Sequence, residues 1–178
     1  MATQKWISDP THSELQFKVK HLMISKVTGG FQDFTIQAET DGDDFSNAKV
    51  TAKVQLDSIA TGQKDRDNHL KSADFFDVEA NPTMDFTSTK IVKKGDDDYE
   101  LDGELTIKGI TKPVSIKLEY GGTAVDPWGN TKAAFSLDGK ISRKEWGLTY
   151  NAPLEAGGVM ISDDVKILGE IQLVKSAE

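Results

Sequence analysis

Residues 99–120 read Tyr99-Glu100-Leu101-Asp102-Gly103-Glu104-Leu105-Thr106-Ile107-Lys108-Gly109-Ile110-Thr111-Lys112-Pro113-Val114-Ser115-Ile116-Lys117-Leu118-Glu119-Tyr120. From Tyr99 to Ile107 every second residue is apolar or glycine, and the residues between are acidic or Thr. The alternation resumes from Val114 to Tyr120. A period of two puts successive side chains on opposite faces of a strand, so the stretch predicts two strands, each with a dry face and a wet face. Lys108 to Pro113 is read as the turn between them, with Pro113 at a strand start where no ladder bond is lost.

The same pattern extends in both directions. Leu15, Phe17 and Val19 alternate with polar residues, as do Phe34, Ile36 and Ala38, and then Ala48, Val50, Ala52, Val54 and Leu56. Met84, Phe86 and Ser88 form a weaker set. Beyond Tyr120 come Ala133, Phe135, Leu137, Gly139 and Ile141, then Val165, Ile167, Gly169, Ile171 and Leu173. One-sided strands belong to antiparallel sheets, and long ones need their edges removed by closure. The expected fold class is all-β: an eight-stranded antiparallel barrel with short helical turns in its loops. Such a barrel is filled by side chains or holds one small ligand.

The connectors fit this reading. Lys94 to Asp98 and Pro127-Trp128-Gly129-Asn130 are turns. Thr61 to Asp77 is a long charged loop with helical turns around Asp65 to Leu70. His21 to Thr28, ahead of Gly29-Gly30, also reads as a helical turn. The 178 residues suit one domain, 1–178.

The net charge of −8 shows no basic footprint, which argues against nucleic acid. With no polybasic segment, adsorption to anionic headgroups is likewise not expected. Without cysteine there is no disulfide, thiolate ligand or thiol nucleophile. No apolar run is long enough to span a bilayer, so integral membrane insertion is not expected. The N-terminus lacks an apolar leader, and the expected location is cytoplasmic, or periplasmic had a leader been removed.

Asp9-Pro10-Thr11-His12-Ser13, Phe17 to Leu22 and Gly30 to Phe34 are the first of several ordered blocks. Ser58 to Gly62, Arg66 to Asp77, Pro82 to Thr89, Gly103 to Val114 and Ile141 to Leu148 continue them. In these blocks the chain resembles the YceI family of polyisoprenoid-binding, lipocalin-like proteins, nearly from end to end. The resemblance implies a lipocalin-like barrel holding a long-chain isoprenoid or fatty lipid. It also makes a homodimer an expectation.

Inward parity nominates a lumen lined by Phe17, Val19, Phe34, Ile36, Val50, Val54, Phe86, Leu101, Gly103, Leu105, Ile116, Phe135, Leu137, Gly139, Ile167 and Gly169. The three glycines either bend the sheet or leave room for a ligand. His21, Arg66, His69 and Trp128 are the candidates for a polar mouth, with Arg66 able to grip an anionic headgroup. The competing reading makes the Asp65 to His69 turn structural, clamped to the rim by Leu70, Phe75 and Phe76. Trp146 is expected to plug the closed end, and Arg143 to cap backbone carbonyls or stack on Trp146.

No catalytic residue, metal site or cofactor is expected, because no nucleophile motif, phosphate loop or clustered ligand set is present. Two rival functions remain: a small hydrolase or isomerase using Asp65 and His69, and a solid-cored interaction barrel without a ligand.

Overall fold

The hairpin of residues 99–120 forms, with a tighter turn than expected. The computed structural model describes residues 3–22, 24–151 and 160–176. In it, β8 (Asp98–Ile107) pairs antiparallel with β9 (Ile110–Val125), from Ile107 opposite Ile110 to Asp98 opposite Glu119. Lys108 and Gly109 alone make the turn, with φ of 53° and 74°. Two positive φ values give a type I′ turn, whose twist matches that of the flanking strands. Pro113 therefore lies inside β9, opposite Glu104. The ladder from β9 to the next strand stops at Ile116, so no bond is lost on that side.

The remaining strands are β1 (Thr3–Ser8), β2 (Glu14–His21), β3 (Ser25–Phe31), β4 (Phe34–Asp41), β5 (Asp44–Gln55), β6 (Ile59–Ala60), β7 (Thr83–Lys93), β10 (Thr131–Ser142) and β11 (Ile161–Lys175). Strands β1, β4, β5, β7, β8, β9, β10 and β11 pair in that order, and β11 pairs back to β1. This is a closed eight-stranded antiparallel barrel. Strand β2 continues β1 along β11, β3 pairs with β2, and β6 pairs with β3. Thus β1 with β2, β3 with β4, and β5 with β6 act as three long, broken staves, and the barrel is a simple up-and-down meander.

Two expectations are corrected. His21 to Thr28 is not helical: His21 ends β2, Leu22 and Ile24 lie in a turn, and β3 starts at Ser25, with Met23 outside the described residues. Strand β1 was not expected at all. The helical turn near Asp65 does form, as α1 (Lys64–Lys71).

The break between β1 and β2 is stitched to β11 by side chains. The Asp9 amide donates to the Gln172 carbonyl at 2.8 Å. Ser13 Oγ accepts from the Gln172 amide and donates to its carbonyl, at 3.1 and 3.3 Å. Asp9 also accepts from the Thr11 amide in an Asx turn.

Hydrophobic burial seals the end that carries the β4–β5, β7–β8 and β9–β10 turns. Trp6, 1% exposed, packs with Phe45, Phe135 and Leu173. Its indole N–H donates to Thr40 Oγ1 at 2.9 Å, so the buried polar atom is satisfied. Trp146 does not plug this end. It follows β10 in a 3₁₀ turn (Arg143–Trp146) at the opposite end, where its indole N–H donates to the Leu105 carbonyl at 2.9 Å.

Candidate functional site

The inward faces leave two adjoining cavities. The central one, about 140 Å³, is walled by apolar residues from most staves. Of the sequence-nominated positions, Ile36, Val50, Val54, Phe86, Leu101, Leu105, Ile116, Phe135, Leu137, Gly139 and Ile167 line it. The second, about 590 Å³, lies toward the end carrying α1. Phe17, Val19, His21, Arg66 and His69 line it. Leu15, Met84, Ile141 and Ile167 border both, so the two adjoin, with an apolar depth and a more polar mouth.

Four nominated residues are placed elsewhere. Phe34 shares the inward parity of Ile36 but packs against two core clusters and is not among the residues that line either cavity. Gly103 is covered by the Phe86 ring, and Gly169 by Leu137: a Cβ at 169 would lie 2.9 Å from Leu137 Cγ. Both glycines accommodate a neighbouring side chain and leave no room for a ligand. Gly139 differs, because a Cβ there would make only ordinary contact with Ile116, at 3.5 Å. Trp128 is 83% exposed on the β9–β10 turn, at the opposite end from His21, Arg66 and His69.

The mouth is built by α1 and the segment after it. Strand β6 has no partner on its β7 side, and α1 fills the space beside it. Asp67 accepts from both the Thr61 amide and hydroxyl, at 2.9 and 2.5 Å. Arg66 donates from Nε and a terminal nitrogen to the Thr61 hydroxyl and carbonyl, both at 2.7 Å. These contacts use two of the five guanidinium N–H donors. Phe75 is buried with Leu70 and Phe76 against the barrel, so apolar packing pins the segment to the rim.

His69 Nε2 lies 2.8 Å from Asp74 Oδ2, and its ring meets Phe75 and Tyr150 edge-on. The carboxylate that partners His69 is therefore Asp74 and not Asp65. With Asp67 turned to Thr61 and His69 to Asp74, the acidic residues of α1 do not converge with His69 on one point.

Sequence reasoning overlooked much of the mouth wall. Phe31, Tyr150, Met160 and Ile161 line it from segments with no clear alternation. Arg143 lines it too, although only 4% exposed. Its guanidinium donates to the carbonyls of Leu148, Tyr150, Ser162 and Ile161, at 2.6, 2.9, 2.9 and 3.3 Å. Burial pushes its pKa below the usual arginine value, and nearby Asp163 opposes that shift. The capping role expected from sequence is the one adopted.

The YceI-like domain matches residues 6–173. The chain belongs to the YceI-like family. It is 40% identical over 163 residues to a UPF0312 protein of Staphylococcus epidermidis, covering 91% of this chain and 92% of the relative. The crystal structure of Burkholderia cenocepacia BcnA superposes with a TM-score of 0.79 at 21% identity, covering 95% and 99% of the two chains. A polyisoprenoid binding domain from Saccharophagus degradans, implicated in plant cell wall breakdown, superposes with a TM-score of 0.65 at 14% identity, covering 96% and 98%.

Three of the ordered YceI-like blocks coincide with the places where a plain barrel would fail. Asp9 to Ser13 stitches the break between β1 and β2. Ser58 to Asp77 builds the mouth. Arg143 to Leu148 closes the turn beyond β10, with Gly147 in the left-handed conformation at φ 76°.

Proposed function

We propose that this YceI-like barrel binds one long-chain amphiphilic lipid, a polyisoprenoid or prenyl quinone in class, and stores or carries it without chemical change. The observation that carries this reading is the pair of adjoining cavities inside the barrel, one apolar and deep, the other at a mouth bearing Arg66, His69 and His21. Each CH₂ taken from water into such a tube contributes about 0.8 kcal/mol, so a chain of several isoprene units needs few polar contacts. The polyisoprenoid binding domain from Saccharophagus shares the fold and supports the ligand class. The absence of catalysis is part of the proposal and is supported by the engagement of Asp67 with Thr61 and of His69 with Asp74.

Native mass spectrometry of the purified protein, followed by organic extraction, tests it. The expected result is one lipid per barrel, released intact. Protein that remains empty when offered prenyl alcohols, prenyl quinones and fatty acids would overturn the reading. Conversion of a bound lipid on prolonged incubation would overturn its non-catalytic part.

A further inference from the structure

The turn between β2 and β3 carries residues that turn chemistry does not select. Leu22 and Ile24 stand where Gly, Asn or Asp is favoured. Leu22 has φ of 55°, a conformation uncommon for a bulky side chain. Ile24 is 87% exposed and Leu22 40%. Among the described residues, no core cluster includes Leu22 or Ile24.

Charge on the same hairpin is also unusual. No Asp or Glu occurs from Leu15 to Gln32, while Lys18, Lys20 and Lys26 do. Lys20 stands directly opposite Lys26, and Lys18 opposite Lys166. Like charges facing across a ladder are destabilising, and among the described residues Lys18, Lys20 and Lys26 have no ion-pair partner. Asp163 pairs with Lys144 and Asp164 with Lys140, both at 3.3 Å, and Asp65 lines the same cavity as Lys20 without forming an ion pair with it. The hairpin thus has the opposite sign to a chain whose net charge is −8.

Its location is at the mouth. His21 and Lys20 line the larger cavity, and the Leu22 amide donates to the Met160 carbonyl at 2.7 Å on the rim. We propose that the β2–β3 hairpin docks on an anionic lipid bilayer, with Leu22 and Ile24 entering the interface and Lys18, Lys20 and Lys26 contacting headgroups. An apolar tip and a basic collar are two weak signals that together give reversible attachment. The whole-chain charge, which argues against an anionic surface, then orients the molecule so that the hairpin end faces the membrane. The purpose of docking, transfer of a lipid through the mouth, rests on the carrier reading; the docking itself does not.

The test is flotation with phosphatidylcholine vesicles, with and without phosphatidylglycerol at about one part in four. Full-length protein should float only with the anionic vesicles and detach at high salt. Lys20→Gln and Lys26→Gln should each weaken binding about fivefold, the effect of about 1 kcal/mol per lysine at an anionic surface. Ile24→Asp, at an exposed position, should abolish flotation and leave the melting temperature unchanged. Trp128→Ser, at the far end, should change nothing. The proposal is overturned by wild-type protein that does not float, by flotation indifferent to the three hairpin changes, or by flotation lost in Trp128→Ser. A change in sedimentation of the Ile24→Asp protein without loss of flotation would assign the tip to self-association and overturn it as well. Mass spectrometry of the same samples separates the two claims. A loaded lumen without flotation defeats docking alone, and flotation of an empty barrel defeats the carrier reading alone.

Discussion

The ring of Phe86 lies over the bare Cα of Gly103, so that a Cβ at 103 would stand 2.5 Å from both Phe86 Cζ and the Thr87 carbonyl oxygen. The ring can turn, but the carbonyl belongs to the β7–β8 ladder and cannot retreat without breaking it. Gly103→Ala should therefore destabilise the barrel by about 1–3 kcal/mol, the usual cost of overpacking. Urea denaturation measures this directly. An unchanged midpoint would show that the local backbone gives way more easily than the distances imply.

Gly139 makes the contrasting case. A Cβ there meets Ile116 at ordinary distance and then faces the central cavity. Gly139→Leu should fold with an unchanged or raised melting temperature, because it fills space and improves strand propensity. The extracted lipid should become shorter or scarcer. A destabilised variant with normal lipid content would place the ligand elsewhere than in the deep lumen.

Arg143 ties together four carbonyls of the turn beyond β10 and the start of β11. Arg143→Met preserves bulk and removes every donor. Stranding buried carbonyls should cost at least about 3 kcal/mol, with Arg143→Lys recovering part of the loss. Equal stability of the Met and Lys variants in denaturant would show that the side chain acts by filling space alone.

Acid should loosen the stitch between β1 and β2. Asp9 Oδ2 lies 2.9 Å from His12 Nδ1 and accepts from Lys132 Nζ at 3.0 Å. His12 first, then Lys132, holds its pKa well below the ordinary carboxylate range. A depressed folded-state pKa means stability that is present above the unfolded value, about 3.9, and is lost as pH falls toward the folded one. Melting temperature measured from neutral pH downward should fall below about pH 4. Asp9→Asn should start lower and show a shallower acid loss. Identical slopes for the two proteins would remove Asp9 from the acid response.

The barrel was legible in the sequence where its staves are unbroken and their inward residues are large. From β7 to β11 the alternation located every strand. Strand β1 escaped because Trp6 is its one large inward side chain, its neighbour Ser8 is polar yet buried, and Ile7 points outward. Strand β3 escaped because Gly29-Gly30 mimics a turn. In fact the Phe17 ring folds over Gly29 from the facing strand, supplying the apolar surface that glycine lacks.

The same limit applied to the site. Parity located most of the lumen wall, since facing inward is a local property of a strand. It misplaced Gly103 and Gly169, because whether a glycine leaves a void depends on the rotamer of a neighbour on another strand. It also grouped Trp128 with the mouth, since loop composition does not report which end of a barrel a turn occupies.

The short ladder beside β6 has a kinetic consequence. Backbone pairing between β5 and β7 ends at Gln55 opposite Thr83, with one further bond from the Leu56 amide to the Pro82 carbonyl. Beyond it the wall consists of α1 and the side chains of Leu70, Phe75 and Phe76. A cargo leaving by this flank would part aromatic and aliphatic contacts and the bonds of Asp67 and Arg66 to Thr61, but no ladder bonds. Its residence time would then be set by loop breathing on the nanosecond-to-microsecond scale and by the affinity of the tube, not by the slow unzipping of staves. The vessel would have a hinged shutter in its side and could empty without coming apart.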